Sequence, residues 1–164
     1  MDFTIRLAEE DQDIISVHQI MLEAFAEYDS YDIPSSAMNE PVSSIKKLIQ
    51  NGSEKAILCF VEEKALGSVR FKMNEDSLYF SRLSVVPEAR GKGTAKAMIK
   101  WLGEYAQEKG KDKIFCRVRK DTPQNVQFYR SYDFEISKEE TIINKDGNLV
   151  EIIEMNKKAN VLIN

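Results

Sequence analysis

Apolar positions recur along the chain with two different periods, and the changes from one period to the other mark out its elements. Phe3, Ile5 and Leu7 alternate with Thr4 and Arg6, which predicts a half-buried strand. Asp11 and Asp13 then open a helix, where the helix dipole favours acids, and Ile14, Val17, Met21, Leu22 and Phe25 form its apolar stripe. Between Tyr28 and Pro41, two prolines among small polar residues predict a loop or a broken short helix. Val42, Ile45, Leu48 and Ile49 mark a second helix, closed by Asn51-Gly52. The unbroken apolar run Ala56 to Val61 reads as a strand and Glu62-Glu63-Lys64 as a turn. Val69, Phe71 and Met73 then alternate with Ser68, Arg70 and Lys72. After the polar turn Asn74 to Ser77, Leu78 to Val86 forms another strand, stopped by Pro87. Strands joined by such short turns form an antiparallel meander.

Beyond Pro87 the helical period returns in Ala95, Met98, Ile99, Leu102 and Ala106, and Lys109-Gly110 ends that helix. Ile114, Cys116 and Val118 alternate as a strand, and Pro123 suits the first turn of a short helix bearing Val126, Phe128 and Tyr129. Two last strands, about Phe134 to Ile143 and Leu149 to Met155, flank the hairpin signal Asp146-Gly147. The order β-α-α-β-β-β-α-β-α-β-β predicts an α+β fold: a mixed, mostly antiparallel sheet of about seven strands flanked by about four helices. One domain over residues 1–156 and a loosely held C-terminal tail over 157–164 are expected.

Composition narrows the classes. A chain of 164 residues suits one domain, and burying roughly 70% of the unfolded surface needs no disulfide or metal staple. The net charge of −4 argues against a duplex nucleic-acid partner. No apolar run approaches the roughly 20 residues of a membrane span, and the N-terminus lacks a signal-peptide pattern. Cys59 and Cys116 are expected as core thiols, which suits a cytoplasmic location. His18 is the sole histidine, so no multi-histidine metal site exists and no metal is expected. Its place between Ile14 and Met21 predicts a packed or hydrogen-bonded core histidine.

Chemistry concentrates in Leu83-Ser84-Val85-Val86-Pro87-Glu88-Ala89-Arg90-Gly91-Lys92-Gly93-Thr94-Ala95. An apolar strand passes through a basic, glycine-containing turn into an amphipathic helix. The first N–H groups of a helix lack intrahelical partners and the positive dipole end lies there, so this is an anion site. Gly91 and Gly93 permit φ > 0 and close approach of a phosphate, while Arg90 and Lys92 add charge. A Walker loop is excluded, because Lys92 precedes Gly93 and Val86 occupies the first glycine position. A dinucleotide fingerprint starting at Gly91 fails at Lys96.

The segment resembles the acetyl-CoA signature of the GNAT superfamily of N-acetyltransferases, Gln/Arg-x-x-Gly-x-Gly/Ala, through Arg90, Gly93 and Ala95. Asn125 to Phe134 is similar to that family's second segment, with Tyr129 five residues before Phe134. Asp133 stands where the family usually has glycine, which requires a left-handed or related conformation that aspartate tolerates.

The resemblance implies a direct transfer of acetyl from acetyl-CoA, as co-substrate, to a primary amine. The diphosphate would lie on the amides of Arg90, Gly91, Lys92, Gly93, Thr94 and Ala95. The pantetheine arm would pair with backbone near Leu83, Ser84 and Val85, in a cleft where this strand splays from Ile114 to Arg119. An N–H near Leu83 would polarise the acetyl carbonyl, Asn125 would contact the CoA arm, and Tyr129 would protonate the departing thiolate. The strand reads Tyr79-Phe80-Ser81-Arg82 where many members carry a glutamate, so the amine's proton acceptor stays open among Glu75, Asp76, Glu23, Glu27 and water. The acceptor is expected to enter between the Phe25 to Pro41 region and the late hairpin, with Glu27, Asp29 and Asp32 favouring a cationic amine. A small amine, amino acid or polyamine is favoured over a protein terminus or lysine, with the protein a monomer or homodimer. The competing reading is a non-catalytic acyl-CoA sensor.

Overall fold

The structure, a computed structural model, describes residues 2–26 and 36–159. Its elements follow the expected order: β1 (Phe3–Leu7), α1 (Asp11–Phe25), α2 (Val42–Gln50), β2 (Lys55–Val61), β3 (Lys64–Met73), β4 (Ser77–Val85), α3 (Thr94–Glu108), β5 (Lys113–Arg119), α4 (Pro123–Arg130), β6 (Glu135–Ile143) and β7 (Leu149–Lys158). The seven strands run in the order β1-β2-β3-β4-β5-β7-β6. β4 and β5 are parallel, with Ser77, Leu78 and Tyr79 opposite Lys113, Ile114 and Phe115. β1/β2, β2/β3, β5/β7 and β6/β7 pair antiparallel. The mixed α+β architecture is therefore the one the periodicity predicts. The chain forms two compact units, Met1–Lys72 with Phe80–Trp101 and Met73–Tyr79 with Leu102–Asn164.

In the first unit, α1 starts where Asp13 gathers the N–H groups of Glu9 and Glu10 (3.2 and 3.3 Å) and both terminal nitrogens of Arg6 from β1 (2.8 Å each). The Arg6 hydrogen bonds, opposed by burial and helped by the two amides, hold the Asp13 carboxyl down at about 2. The stripe of α1 packs in two directions: Val17 and Ile20 join Ala56, Leu58, Val86 and Ala89, and Ile14 and Met21 join Ala37 and Ile45. β3 is covered on both faces, so its alternation does not separate inside from outside as the sequence suggests. Phe71 packs edge-on against Trp101 of α3 (5.9 Å), whereas Ser68 and Arg70, on the other face, are only 1% and 5% exposed. A Cβ on Gly67 would meet Met98 Cε at 2.9 Å and Thr94 Cγ2 at 3.0 Å, so this glycine lets α3 seat closely on β3. His18 is half-buried and its Nε2 donates to the carbonyl of Glu40 (2.9 Å), the hydrogen-bonded form of the expected role.

In the second unit, β7 pairs with β5 from Arg119↔Ile152 to Lys113↔Lys158 and with β6 from Ile143↔Leu149 to Glu135↔Asn156. The strand runs through Lys158, which corrects the expectation that the tail begins at Lys157, and residues 160–164 of that tail lie outside the described residues. Lys157 is 5% exposed and donates to the Tyr132 carbonyl (2.8 Å), and Ala159 is buried too. The β5 ladder continues past Met155 through Asn156, Lys157 and Lys158 and draws these residues into the sheet despite their polarity, because Lys113 to Arg119 is paired along its whole length. Cys116 and, in the first unit, Cys59 are buried free thiols. Burial pushes the Cys59 thiol up to about 11 and raises Cys116 as well, leaving both unreactive at neutral pH.

Candidate functional site

The basic turn lies where β4 leaves the sheet. Pro87–Ala89 makes one 3-10 turn, closed by Ala89 N–H to Val86 O (2.9 Å) and Arg90 N–H to Pro87 O (3.3 Å). Gly91 and Gly93 follow at φ +77° and +86°, and α3 begins at Thr94. Both glycines have room for a Cβ; what they supply is the left-handed backbone. Among the described residues, none accepts a hydrogen bond from the backbone N–H of Gly91, Lys92, Gly93, Thr94 or Ala95. The bond that enters the helix is Ala97 N–H to Gly93 O (3.0 Å). Successive bare amides at the positive end of a 15-residue helix are of a kind suited to an anion. Gly91, Lys92 and Gly93 are exposed, Ala95 is half-buried, and buried Thr94 turns its hydroxyl back to Ala89 O (3.5 Å). Arg90 differs from the expectation of a cation simply facing a phosphate. Its Nη2 donates to the carbonyl of Ala24 (3.1 Å), tying the turn to the last turn of α1.

Leu83, Ser84 and Val85 close β4 just before this turn. Leu83 and Val85 are half-buried, while Ser84 is fully buried and donates its hydroxyl to the carbonyl of Arg82 (2.8 Å). Arg82 itself has φ +57°, a left-handed residue inside a strand.

Behind β4 stands a charged network that the sequence reading does not contain. Arg70 on β3 donates Nη1 and Nη2 to Glu40 (2.6 and 2.9 Å) and Nε and Nη2 to Glu54 (2.9 and 3.0 Å). Arg70 and Glu54 are each 5% exposed, and Glu40 also lies 3.9 Å from Nε of Arg82. Burial pushes the Glu40 carboxyl up, but the Arg70 hydrogen bonds and the charges of Arg70, Arg82 and His18 outweigh it, so the net shift is downward. Burial likewise disfavours the Arg70 cation, and its two carboxylate partners more than restore it. The readable signal was an arginine flanked by Val69 and Phe71 inside an apolar strand, since a buried guanidinium needs partners.

In the second unit, Asn125 and Tyr129 lie on α4, with the Asn125 N–H donating to Thr122 O (3.0 Å). Tyr129 is 8% exposed and packs edge-on against Phe128 (5.0 Å) and Phe134 (5.4 Å). Asp133 adopts φ +69°, the left-handed turn its place in the motif requires. Of the carboxylates considered as proton acceptors, Glu75 and Asp76 are exposed in the turn before β4, and Glu23 is exposed on α1. Glu27, Asp29 and Asp32 lie outside the described residues. Among the described residues no group of His, Cys, Asp and Glu is arranged to hold a metal, and no helix is long and apolar enough to cross a membrane.

The family model of the Acetyltransferase (GNAT) family matches residues 16–134. No curated protein matches the chain in sequence. Similar solved structures include a chimera of the Vibrio cholerae spermidine N-acetyltransferase SpeG (TM-score 0.74, 22% identity, 97% of this chain and 96% of that one). A ribosomal-protein-alanine N-acetyltransferase from Brucella melitensis follows at TM-score 0.73 and 17% identity, covering 94% of this chain and 99% of that one. The PaiA N-acetyltransferase from Thermoplasma acidophilum, solved with coenzyme A, aligns at TM-score 0.75 and 14% identity over 96% of this chain and 99% of that one. At these identities the structures establish the shared fold, and the family model spans both the basic turn and α4. The chain belongs to the GNAT family of acetyltransferases.

Proposed function

We propose that this acyltransferase moves the acetyl group of acetyl-CoA directly onto the primary amine of a small acceptor: a small amine, an amino acid or a polyamine. The observation that carries the reading is the run of bare amides from Gly91 to Ala95 at the start of α3, which suits the diphosphate of CoA. Arg90 and Lys92 add charge at the same turn. The backbone of Leu83 to Val85 receives the pantetheine arm, and Asn125 contacts it. The neutral amine attacks the thioester carbon, and the carbonyl oxygen takes up negative charge that the Leu83 N–H stabilises. Collapse breaks the C–S bond, and the thiolate takes the phenolic proton of Tyr129, the two pKa values being close enough for transfer. Solvent recharges the tyrosine and receives the proton lost by the amine.

A polyamine acceptor is supported by the reaction named for the spermidine enzyme that shares the fold, while the ribosomal-protein-alanine enzyme names the protein acceptor that the test must separate from it. The test is thiol release from acetyl-CoA with a panel of amines, amino acids, polyamines and peptides. Rapid release with a small amine supports the proposal. Tight CoA binding without release in any mixture would instead make the chain an acyl-CoA sensor.

A further inference from the structure

The left-handed residue in β4 is an arginine, not a glycine, and it directly precedes the Leu83 amide. A non-glycine residue at φ +57° inside a strand is strained, and such strain persists only where the surroundings impose it. Contacts at both its backbone and its side chain bear on Arg82. The buried Ser84 hydroxyl fixes its carbonyl (2.8 Å), and the Glu40 carboxylate faces its Nε at 3.9 Å. Glu40 is itself immobilised at both ends. Arg70 grips its carboxylate with two hydrogen bonds and is braced by Glu54, while His18 holds its carbonyl (2.9 Å). The dihedrals of Arg82 decide where the following peptide N–H points, so whatever fixes Arg82 also aims Leu83.

We propose that Glu40 is a positioning residue for acyl transfer: carried on the buried Arg70–Glu54 pair, it holds Arg82 in the left-handed conformation that directs the Leu83 N–H. The inference rests on the proposed role of that N–H. It separates Glu40 from proton transfer, since a carboxylate held by two guanidinium hydrogen bonds has little affinity for a proton.

The experiment compares Glu40→Gln, Arg82→Ala, Arg82→Gly and the double variant Glu40→Gln/Arg82→Gly. The first readout, taken without substrate, is the Arg82 HN–Hα coupling and the Leu83 amide shift. The second is kcat and KM for acetyl-CoA. Glu40→Gln and Arg82→Ala are expected to change the coupling and lower kcat about tenfold, with KM held within about twofold, as expected for a misaimed group. Glycine adopts φ > 0 without strain, so both variants bearing Arg82→Gly are expected to regain most of the lost rate. A purely structural role for Glu40 would not be rescued at position 82. The proposal is overturned if Glu40→Gln leaves the coupling unchanged, or if Arg82→Gly is as slow as Arg82→Ala. Absence of thiol release from the wild-type protein would remove the acyl-transfer reading, while the coupling measurement would still decide whether Glu40 sets Arg82.

Discussion

Removing the Arg70 guanidinium tests the buried network most severely. Arg70→Met keeps much of the side-chain length but leaves Glu54, 5% exposed, and Glu40, 18% exposed, facing each other's surroundings without their cation. Breaking a buried ion pair by deleting one partner costs about 3–5 kcal/mol, more than the pair contributes net, because a charge stays stranded. For a chain of this size each kcal/mol is about 2–4 °C, so Tm is expected to fall by about 6–20 °C at pH 7. In the wild-type protein the Glu40 carboxyl is shifted down, so its stabilisation is complete above its unfolded pKa near 4.3 and is lost only as pH falls through the lower folded value. In the variant only the charges of Arg82 and His18 are left to oppose the burial of Glu40, so its carboxyl moves upward from its wild-type position and its protonation relieves part of the loss as pH falls. The deficit should therefore be largest at pH 7 and clearly smaller at pH 5, read by thermal unfolding with near-ultraviolet circular dichroism. Adding Glu54→Leu to Arg70→Met should recover part of the loss, since it removes the more deeply buried of the two stranded carboxylates and leaves only Glu40. A Tm change below about 2 °C at pH 7, or an equal deficit at both pH values, would refute the reasoning.

Three further outcomes are expected. Asp13→Asn should cost about 1–2 kcal/mol at pH 5, a figure reduced because Arg6 is half in water, and the difference from wild type should vanish as pH falls from about 4 towards 2 in urea unfolding curves. Gly93→Ala has space for its Cβ, 3.9 Å from the nearest Phe3 carbon, so only the backbone at φ +86° is penalised, by about 1–2 kcal/mol. Calorimetry should show CoA binding about 5- to 30-fold weaker as the turn relaxes; unchanged affinity would mean that the turn does not hold the ligand. Tyr129→Phe keeps the edge-on packing with Phe128 and Phe134 but removes the proton, so kcat should drop about 10- to 1000-fold with CoA affinity intact. Undiminished turnover would take Tyr129 out of the mechanism.

What could be read from the sequence depended on how far apart the determining residues lie. The element order is legible because each helix and strand carries its own period, and Thr94 to Glu108 even shows its start in Gly91 and Gly93. The left-handed turn at Asp133 was legible for the same reason, as a backbone demand made by a local motif. Arg70 was not. Its position in the alternation of β3 is polar, and Glu40 and Glu54, 30 and 16 residues away, with Met21, reveal that this face is covered. Lys157 was misplaced in a tail because its polarity hides a strand register set by β5. Arg82 carries no local sign of its positive φ, since arginine is a poor choice for that conformation and the reason lies in Glu40 and Ser84. In the sequence Arg90 reads as a phosphate-facing cation, and its bond to Ala24 joins residues 66 apart.

The central claim is that bare amides at the start of α3 bind the diphosphate of CoA. The most direct measurement is a titration of the isotope-labelled protein with CoA and, separately, with pantetheine, which lacks the diphosphate, following the amide resonances of Gly91, Lys92, Gly93, Thr94 and Ala95. Large shifts of these five are expected with CoA and small ones with pantetheine. CoA binding that leaves them unmoved, or no binding at all, would contradict it.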